Sequence, residues 1–385
     1  MPTPCHNLHQ CGSAEPPQKK HPEENMGTRR DFMKTAAAAA GVVFTGCNVP
    51  GMAHAQGARK QTIINGRRIK TIDIHAHCVI PEAVAATGRD PKTILAGTTR
   101  GSDELFIGAE PRLRAMDSQG IDIEALSINP TWYGLEREMA AKVVQLQNEK
   151  LAELCAAHPD RFVAFASLAL QHPDLAVQQL ETAVKKYNMR GAAIGGNVGN
   201  DEFANPKFNP VWAKAEELGV LLFIHPSSPP ELANRYKGNG WLSNAIGNPL
   251  DTTIALSHLI FEGTLDKFPG LKICSAHGGG FLGSYAPRSD YSCMVSPSGC
   301  NPNIKLKKKP TEYLRQMYFD TLVFTPEALR HLAAEVGVSQ LMLGTDYPFP
   351  WQDKGVEHIM ASPFTDEERI AMLSTTAAKL MGIKL

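Results

Sequence analysis

No charge of either sign is in excess: 39 Lys and Arg stand against 39 Asp and Glu in 385 residues. That balance gives no basis for a nucleic acid or an anionic membrane surface as partner. The apolar run Thr35–Thr45 is too short to cross a bilayer, so no membrane span is expected. No internal repeat and no obvious linker break the chain, which reads as a single domain behind a leader. The glycine triplet Gly278–Gly280 is not followed by Lys-Ser or Lys-Thr, which leaves a phosphate cradle without support. Cysteine is sparse beyond the leader: Cys78, Cys155, Cys274, Cys293 and Cys300. An odd set of this kind reads as mostly free thiols, with a Cys293–Cys300 pair left open.

What is present begins with that leader. Arg29-Arg30-Asp-Phe-Met-Lys34, the small apolar run behind it and Ala53-His54-Ala55 have the order of an export signal. The paired arginines point to the twin-arginine (Tat) route. Residues 1–55 are therefore expected to be removed, with Met1 or Met26 as the start, leaving residues 56–385 in the periplasm. Phe44-Thr-Gly-Cys47 resembles a lipobox, but the Ala-x-Ala site fits better, so lipid anchoring through Cys47 is not favoured.

From Lys70 onward short apolar runs alternate with segments of helical period. The expected strands are Thr71–His75, Ile123–Ile128, Phe162–Leu168, Ala192–Gly195, Val220–His225, Leu271–Ala276, Met317–Leu322 and Leu341–Thr345. Expected helices between them include Glu136–Ala157, Asp174–Tyr187, Asn209–Leu218, Leu250–Glu262 and Pro326–Val336, several opened by proline or closed by glycine. Eight strands each followed by helical or loop material predict an α/β fold, a (β/α)8 TIM barrel, with a doubly wound open sheet as the rival. Insertions at 79–110 and 288–310 would lie over the C-terminal face, where barrel active sites are built.

The chemistry stands at the strand ends. His75 and His77 close the first strand, one residue apart, so alternation would project both imidazoles one way and Ile72 and Ile74 the other. His225-Pro226 ends the fifth strand, His277-Gly-Gly-Gly280 the sixth and Asp346-Tyr347-Pro348 the eighth. A titratable group at the end of a buried strand is costly unless ligated, paired or catalytic, and five converge. Imidazoles with a carboxylate suit one divalent metal, Zn²⁺ first, with Mn²⁺, Fe²⁺ or Co²⁺ as substitutes. Trp132, Tyr133, Trp241 and Trp351 are candidate pocket walls; Glu82 and Asp320 could also reach the barrel mouth.

These motifs resemble the amidohydrolase-2 branch of the amidohydrolase superfamily, and within it the 2-amino-3-carboxymuconate 6-semialdehyde decarboxylase group. Arg112-Leu-Arg-Ala-Met-Asp-Ser-Gln-Gly-Ile121, Asp160-Arg-Phe-Val163 and Phe268-Pro-Gly-Leu-Lys272 extend the likeness over most of the mature chain. The resemblance implies a metal-dependent barrel that releases CO2 from a small unsaturated or aromatic carboxylate. It would place the metal on His75, His77, His225 and Asp346, make His277 the catalytic acid/base, and let Arg112 grip a substrate carboxylate. Arg288 would be lent across a homodimer interface. Ser227-Ser228-Pro229-Pro230 replaces the tryptophan that this group carries after its His-Pro, which points to a changed substrate. A metal-dependent hydrolase of a lactone, ester or amide, with Asp346 carrying the proton, is the alternative from the residues alone. A non-catalytic metal or ligand binder is the third.

Overall fold

Eight parallel strands close into a barrel in the computed structural model, which describes residues 59–91, 108–349 and 354–385. The leader with Met26 and Cys47, residues 92–107 of the 79–110 insertion and Trp351 lie outside the described residues. The strands are β1 (Ile72–His77), β2 (Ile123–Ser127), β3 (Phe162–Ala164), β4 (Gly191–Ile194), β5 (Leu221–Ile224), β6 (Lys272–Ser275), β7 (Tyr318–Asp320) and β8 (Leu341–Met342). Parallel pairing joins β1 to β3 in one run and β4 to β8 in another. Bridges Ala166↔Ala192 and Ala76↔Tyr347 then close the ring. At the β8/β1 seam Ile74 N donates to Leu343 O (2.9 Å), Asp346 N to His75 O (2.8 Å) and His77 N to Tyr347 O (2.6 Å). An antiparallel hairpin, Thr62–Ile64 with Arg67–Ile69, precedes β1; its Asn65-Gly66 turn takes positive φ at both residues.

The helices follow from their apolar stripes. Helix α1 (Ala109–Gln119) stops at Gly120, whose φ of 76° suits a left-handed cap. Helix α2 (Arg137–Ala157) buries Ala140, Val143, Val144, Gln147 and Leu151, the spacing of one helical face. Helix α3 (Pro173–Lys185), α4 (Asn209–Leu218), α5 (Asn248–Phe261), α6 (Leu282–Val295) and α7 (Pro326–Val336) continue the outer ring. Pro287 falls inside α6 without ending it, so the helix runs through Arg288 to Val295 and only the remainder of the expected 288–310 insertion is irregular. No described helix is long and apolar enough to cross a membrane.

Two apolar layers result. The outer one packs helices on strands, with Trp132, Val144, Trp212 and Leu256 among its members. The inner one fills the barrel with Ile72, Ile74, Phe165, Leu221, Phe223 and Met342. Ala377, Ala378, Leu380 and Met381 of a last helix, α8 (Thr376–Met381), join that inner cluster and plug the barrel. Cys293 and Cys300 form a disulfide that ties the end of α6 to the turn after it; Cys78, Cys155 and Cys274 are free thiols.

Candidate active site

Strand β1 does not follow the simple alternation expected of it. Its register against β2 shifts between Asp73 and Ala76, a bulge. Ile74 joins Ile72 in the inner cluster, and with the bulge the next residue, His75, also lies against it, its ring 5.0 Å from that of Phe223. Asp73 takes over the displaced hydrogen bonds. Its Oδ1 accepts from His75 N (2.9 Å) and Thr345 N (3.1 Å), and its Oδ2 accepts from Thr345 Oγ1 (2.5 Å). Burial, reinforced by the charge of Glu124, pushes the Asp73 carboxyl up to about 7.

The five strand-end groups meet. His75, His77, His225 and Asp346 are 0, 2, 6 and 3 % exposed, so water reaches almost none of them. Ring centroids lie 4.9 Å apart for His75 and His77, 4.5 Å for His77 and His225, and 5.2 Å for His225 and His277. One donor atom each from His75, His225, His277 and Asp346 falls within a 4.8 Å span. His77 Nε2 lies 2.8 Å from Asp346 Oδ1 and 3.0 Å from His75 Nε2. Two imidazole nitrogens and a carboxylate oxygen aimed at one point are what a cation brings together.

The hydrogen-bond inventory fits a metal. Asp320 Oδ2 lies 2.6 Å from His75 Nδ1. An ionised carboxylate can only accept, so Nδ1 carries the proton and Nε2 is left to ligate. Both ring nitrogens of His225, Oδ1 of Asp346 and Nδ1 of His277 are buried without a hydrogen-bond partner. Such orphans are costly in a protein interior, and a cation would satisfy the lone pairs of His225 and Asp346. The donor set is that of a single divalent metal ion.

Electrostatics agree. Burial drives His77 down to about 4 against the opposing pull of Asp346, and drives His225 well below its ordinary value, so both rings are neutral near pH 7, the form a metal ligand needs. His75 behaves oppositely: burial would lower it, but Asp346 and Asp320 outweigh burial and raise it to about 10. Burial favours a neutral Asp346, yet the charge of His75 and the close approach of the imidazole nitrogens hold it well below the carboxylate range.

Above the cluster lies a cavity of about 290 Å³, lined by Asn129, Ser227, Trp241, Asn248, Phe349 and the exposed edges of His225, His277 and Asp346. A neighbouring cavity of about 390 Å³ shares Asn244, Asn248, His277 and Asp346 and continues past Leu322 and Phe324. Six non-glycine residues have positive φ among those described, and four of them, Trp241, His277, Phe324 and Asp346, border these cavities. Backbone strain is concentrated at the site.

The two arginines stand elsewhere. Arg112 is 2 % exposed; its Nη1 donates to Glu124 (2.9 Å), its Nη2 donates to the carbonyl of His77, and Tyr347 covers its face at 4.7 Å. A guanidinium so committed braces β1, and it is not among the residues that line the cavity above the cluster, so this placement lends no support to the carboxylate-gripping role expected for it. Arg288 is exposed on α6 and lines no described cavity of its own chain. Trp132 and Tyr133 are also not walls: Trp132 is buried and donates to Leu168 O, and the Tyr133 hydroxyl accepts from Gly195 N. Glu82 is exposed on a short helix away from the cavity. Asp73 and Asp320 bridge elements at the site with no sequence signal for it, since nothing in the linear pattern marks which strand an Asp will bridge.

Comparison with known proteins gives a consistent result. The family model described as amidohydrolase matches residues 72–383. A 2-amino-3-carboxymuconate-6-semialdehyde decarboxylase of Dictyostelium discoideum is 29% identical over 280 residues, spanning 71% of this chain and 76% of that protein. A gamma-resorcylate decarboxylase of Rhodococcus jostii is 30% identical over 330 residues, spanning 81% and 98%. The crystal structure of a 2,6-dihydroxybenzoate decarboxylase complexed with 2,6-dihydroxybenzoate superposes with a TM-score of 0.73 at 26% identity, over 82% of this chain and 99% of that one.

Proposed function

This chain belongs to the amidohydrolase family, and from that premise we propose that it is a metal-dependent decarboxylase releasing CO2, without oxidation, from a small aromatic carboxylic acid. The observation that carries the reading is the placement of His277. Its Nε2 stands 3.7 Å from Asp346 Oδ2, and at 15 % side-chain exposure it is the most accessible of the five groups and faces the cavity.

His75, His77, His225 and Asp346 are the ligands in this reading, with Zn²⁺ the first choice and Mn²⁺, Fe²⁺ or Co²⁺ as substitutes. When bound, the ion supplies Lewis-acid polarisation of substrate oxygens. Asp346 is held ionised, and His277, whose Nε2 faces the cavity, is the group placed to deliver the proton. The ring carbon bearing the carboxylate takes that proton. The C–C bond then breaks, its electron pair restores the aromatic ring, and CO2 leaves. Trp241 and Phe349 offer ring faces, and Asn129, Asn244 and Asn248 offer hydrogen bonds to ring hydroxyls.

Purified, metal-loaded protein given hydroxybenzoates, unsaturated dicarboxylates, lactones and esters tests the reaction by product mass. Loss of CO2 from an acid is the expected outcome. Gain of water would assign hydrolysis instead, with the metal centre kept and the reaction reassigned.

Two further parts of the reading concern the whole protein. We assign Arg288 to the site of a second copy: it shares α6 with exposed Tyr285, Tyr291, Met294 and Val295, an apolar face suited to a homodimer. Light scattering on wild type and on Tyr291→Glu reads this, and a monomeric wild type would defeat it. Periplasmic location through Tat export is supported by Arg29-Arg30 and by the Cys293–Cys300 disulfide. Replacing both arginines with lysine is expected to retain the protein in the cytoplasm on fractionation.

A further inference from the structure

We propose that Asp320 is a positioning residue that couples the metal centre to the proton-handling histidine, an assignment that rests on the metal-and-His277 reading above. Asp320 ends β7, between β6, which leads into His277, and β8, which leads into Asp346. It is fully buried. Its Oδ2 accepts from His75 Nδ1 (2.6 Å) and from the backbone N of His277 (2.9 Å). Its Oδ1 accepts from the backbone N of Gly278 (2.8 Å) and of Leu322 (3.1 Å). A carboxylate has about four lone-pair sites, and all are taken, so Asp320 has none left for a metal.

One carboxylate thus sets two things. Through His75 Nδ1 it selects the tautomer whose Nε2 can ligate. Through the two amides it holds a turn that the chain resists: His277 has φ 54° and Gly278 φ 60°, and successive amides in this conformation form a concave anion site. The turn has no slack. A Cβ at Gly278 would lie 2.5 Å from Val323 Cγ1, and one at Gly279 would lie 2.7 Å from the Phe319 ring. The distance between the metal ligand His75 and the acid His277 is therefore written into a single side chain. Asparagine cannot replace it. Its amide nitrogen, placed on either side, confronts N–H donors where an acceptor is required. Placed toward His75, it also favours the tautomer that protonates Nε2.

The test uses the full chain in two variants, with zinc affinity measured by chelator competition and His277 followed by histidine-selective ¹⁵N NMR of the zinc-saturated protein. Asp320→Asn is expected to weaken zinc binding about 10–100-fold. It is also expected to displace the His277 signals even at saturating zinc. With an acid that the wild type decarboxylates, kcat should stay about 100-fold down at saturating zinc with KM within about threefold. Gly278→Ala disturbs the turn without touching His75. It is expected to move the His277 signals and lower kcat while zinc affinity stays within about threefold of wild type. Return of the His277 signals to their wild-type positions in zinc-saturated Asp320→Asn would overturn the coupling, as would equal loss of zinc affinity in both variants. Should Asp320→Asn fail to fold, Gly278→Ala still decides whether the turn governs His277 apart from the metal. A wild type inert on every acid would defeat the decarboxylase reading, while zinc affinity and the His277 signals would still decide the role of Asp320.

Discussion

His75 in the metal-free protein holds a proton that it would have to give up as a metal ligand. The carboxylates of Asp346 and Asp320 outweigh burial and raise it to about 10, whereas ligation needs its Nε2 lone pair. Near neutral pH the free form binds that proton and the metal-bound form does not, so loading releases about one proton and log K rises about one unit per pH unit up to about pH 10. Calorimetry in two buffers of different ionisation enthalpy reads the proton directly; no buffer dependence would mean a neutral His75. Arg112 calls for a different experiment. Arg112→Met strands the buried Glu124 carboxylate, and a loss of about 3–5 kcal/mol is expected from denaturant unfolding. The same variant should bind an acid substrate with nearly unchanged KM, because the side chain faces His77 O and Glu124, away from the cavity. An arginine beside a helix start reads alike in sequence whether it points to a pocket or to a neighbouring strand. The donors themselves were legible because His75, His77, His225, His277 and Asp346 each follow an apolar run. Asp73 and Asp320 act across strands, and residues bridged by pairing share no linear signature.

At the scale of elements, glycine decides how closely strands and turns approach. A Cβ at Gly191 would lie 1.8 Å from the carbonyl oxygen of Leu221, its partner in the β4–β5 pair. Gly191→Ala is expected to cost at least about 2–3 kcal/mol, as overpacking against backbone does. Gly199→Ala, with open space around it, should cost only about 1 kcal/mol for its positive φ. Thermal unfolding of the two variants separates these outcomes. Helices α4 and α7 occupy the residues that their proline starts and glycine stops indicated. Helix α6 is less legible, since the insertion expected at 288–310 begins where packing of Leu282, Gly283 and Ala286 keeps a helix going through Pro287. The bulge in β1 was equally hidden: His75 follows Ile74 onto the inner cluster only because Asp73 and Thr345, far apart in sequence, hold the bulge open.

For the whole molecule, the barrel is completed from its two ends. The first strand closes on the residues after the last strand, and α8 fills the interior from Ala377 to Met381. Removing residues 376–385 deletes no proposed ligand, yet it uncovers Ile72, Ile74 and Met342 of the inner cluster. Metal content measured on that truncated protein should fall together with its near-ultraviolet circular dichroism, whereas a site that depended only on its donor residues would retain the metal.

The same closure sets a schedule during synthesis. His75 and His77 leave the ribosome on the order of tens of seconds before Asp346, at ~5–20 residues per second. In that interval β1 has no β8 to pair with, and the half-made barrel presents an apolar interior and two unprotected imidazoles to the surrounding cell. Chaperone contact and scavenging of stray metal ions are thus problems of the nascent chain, which end only when its final helix arrives.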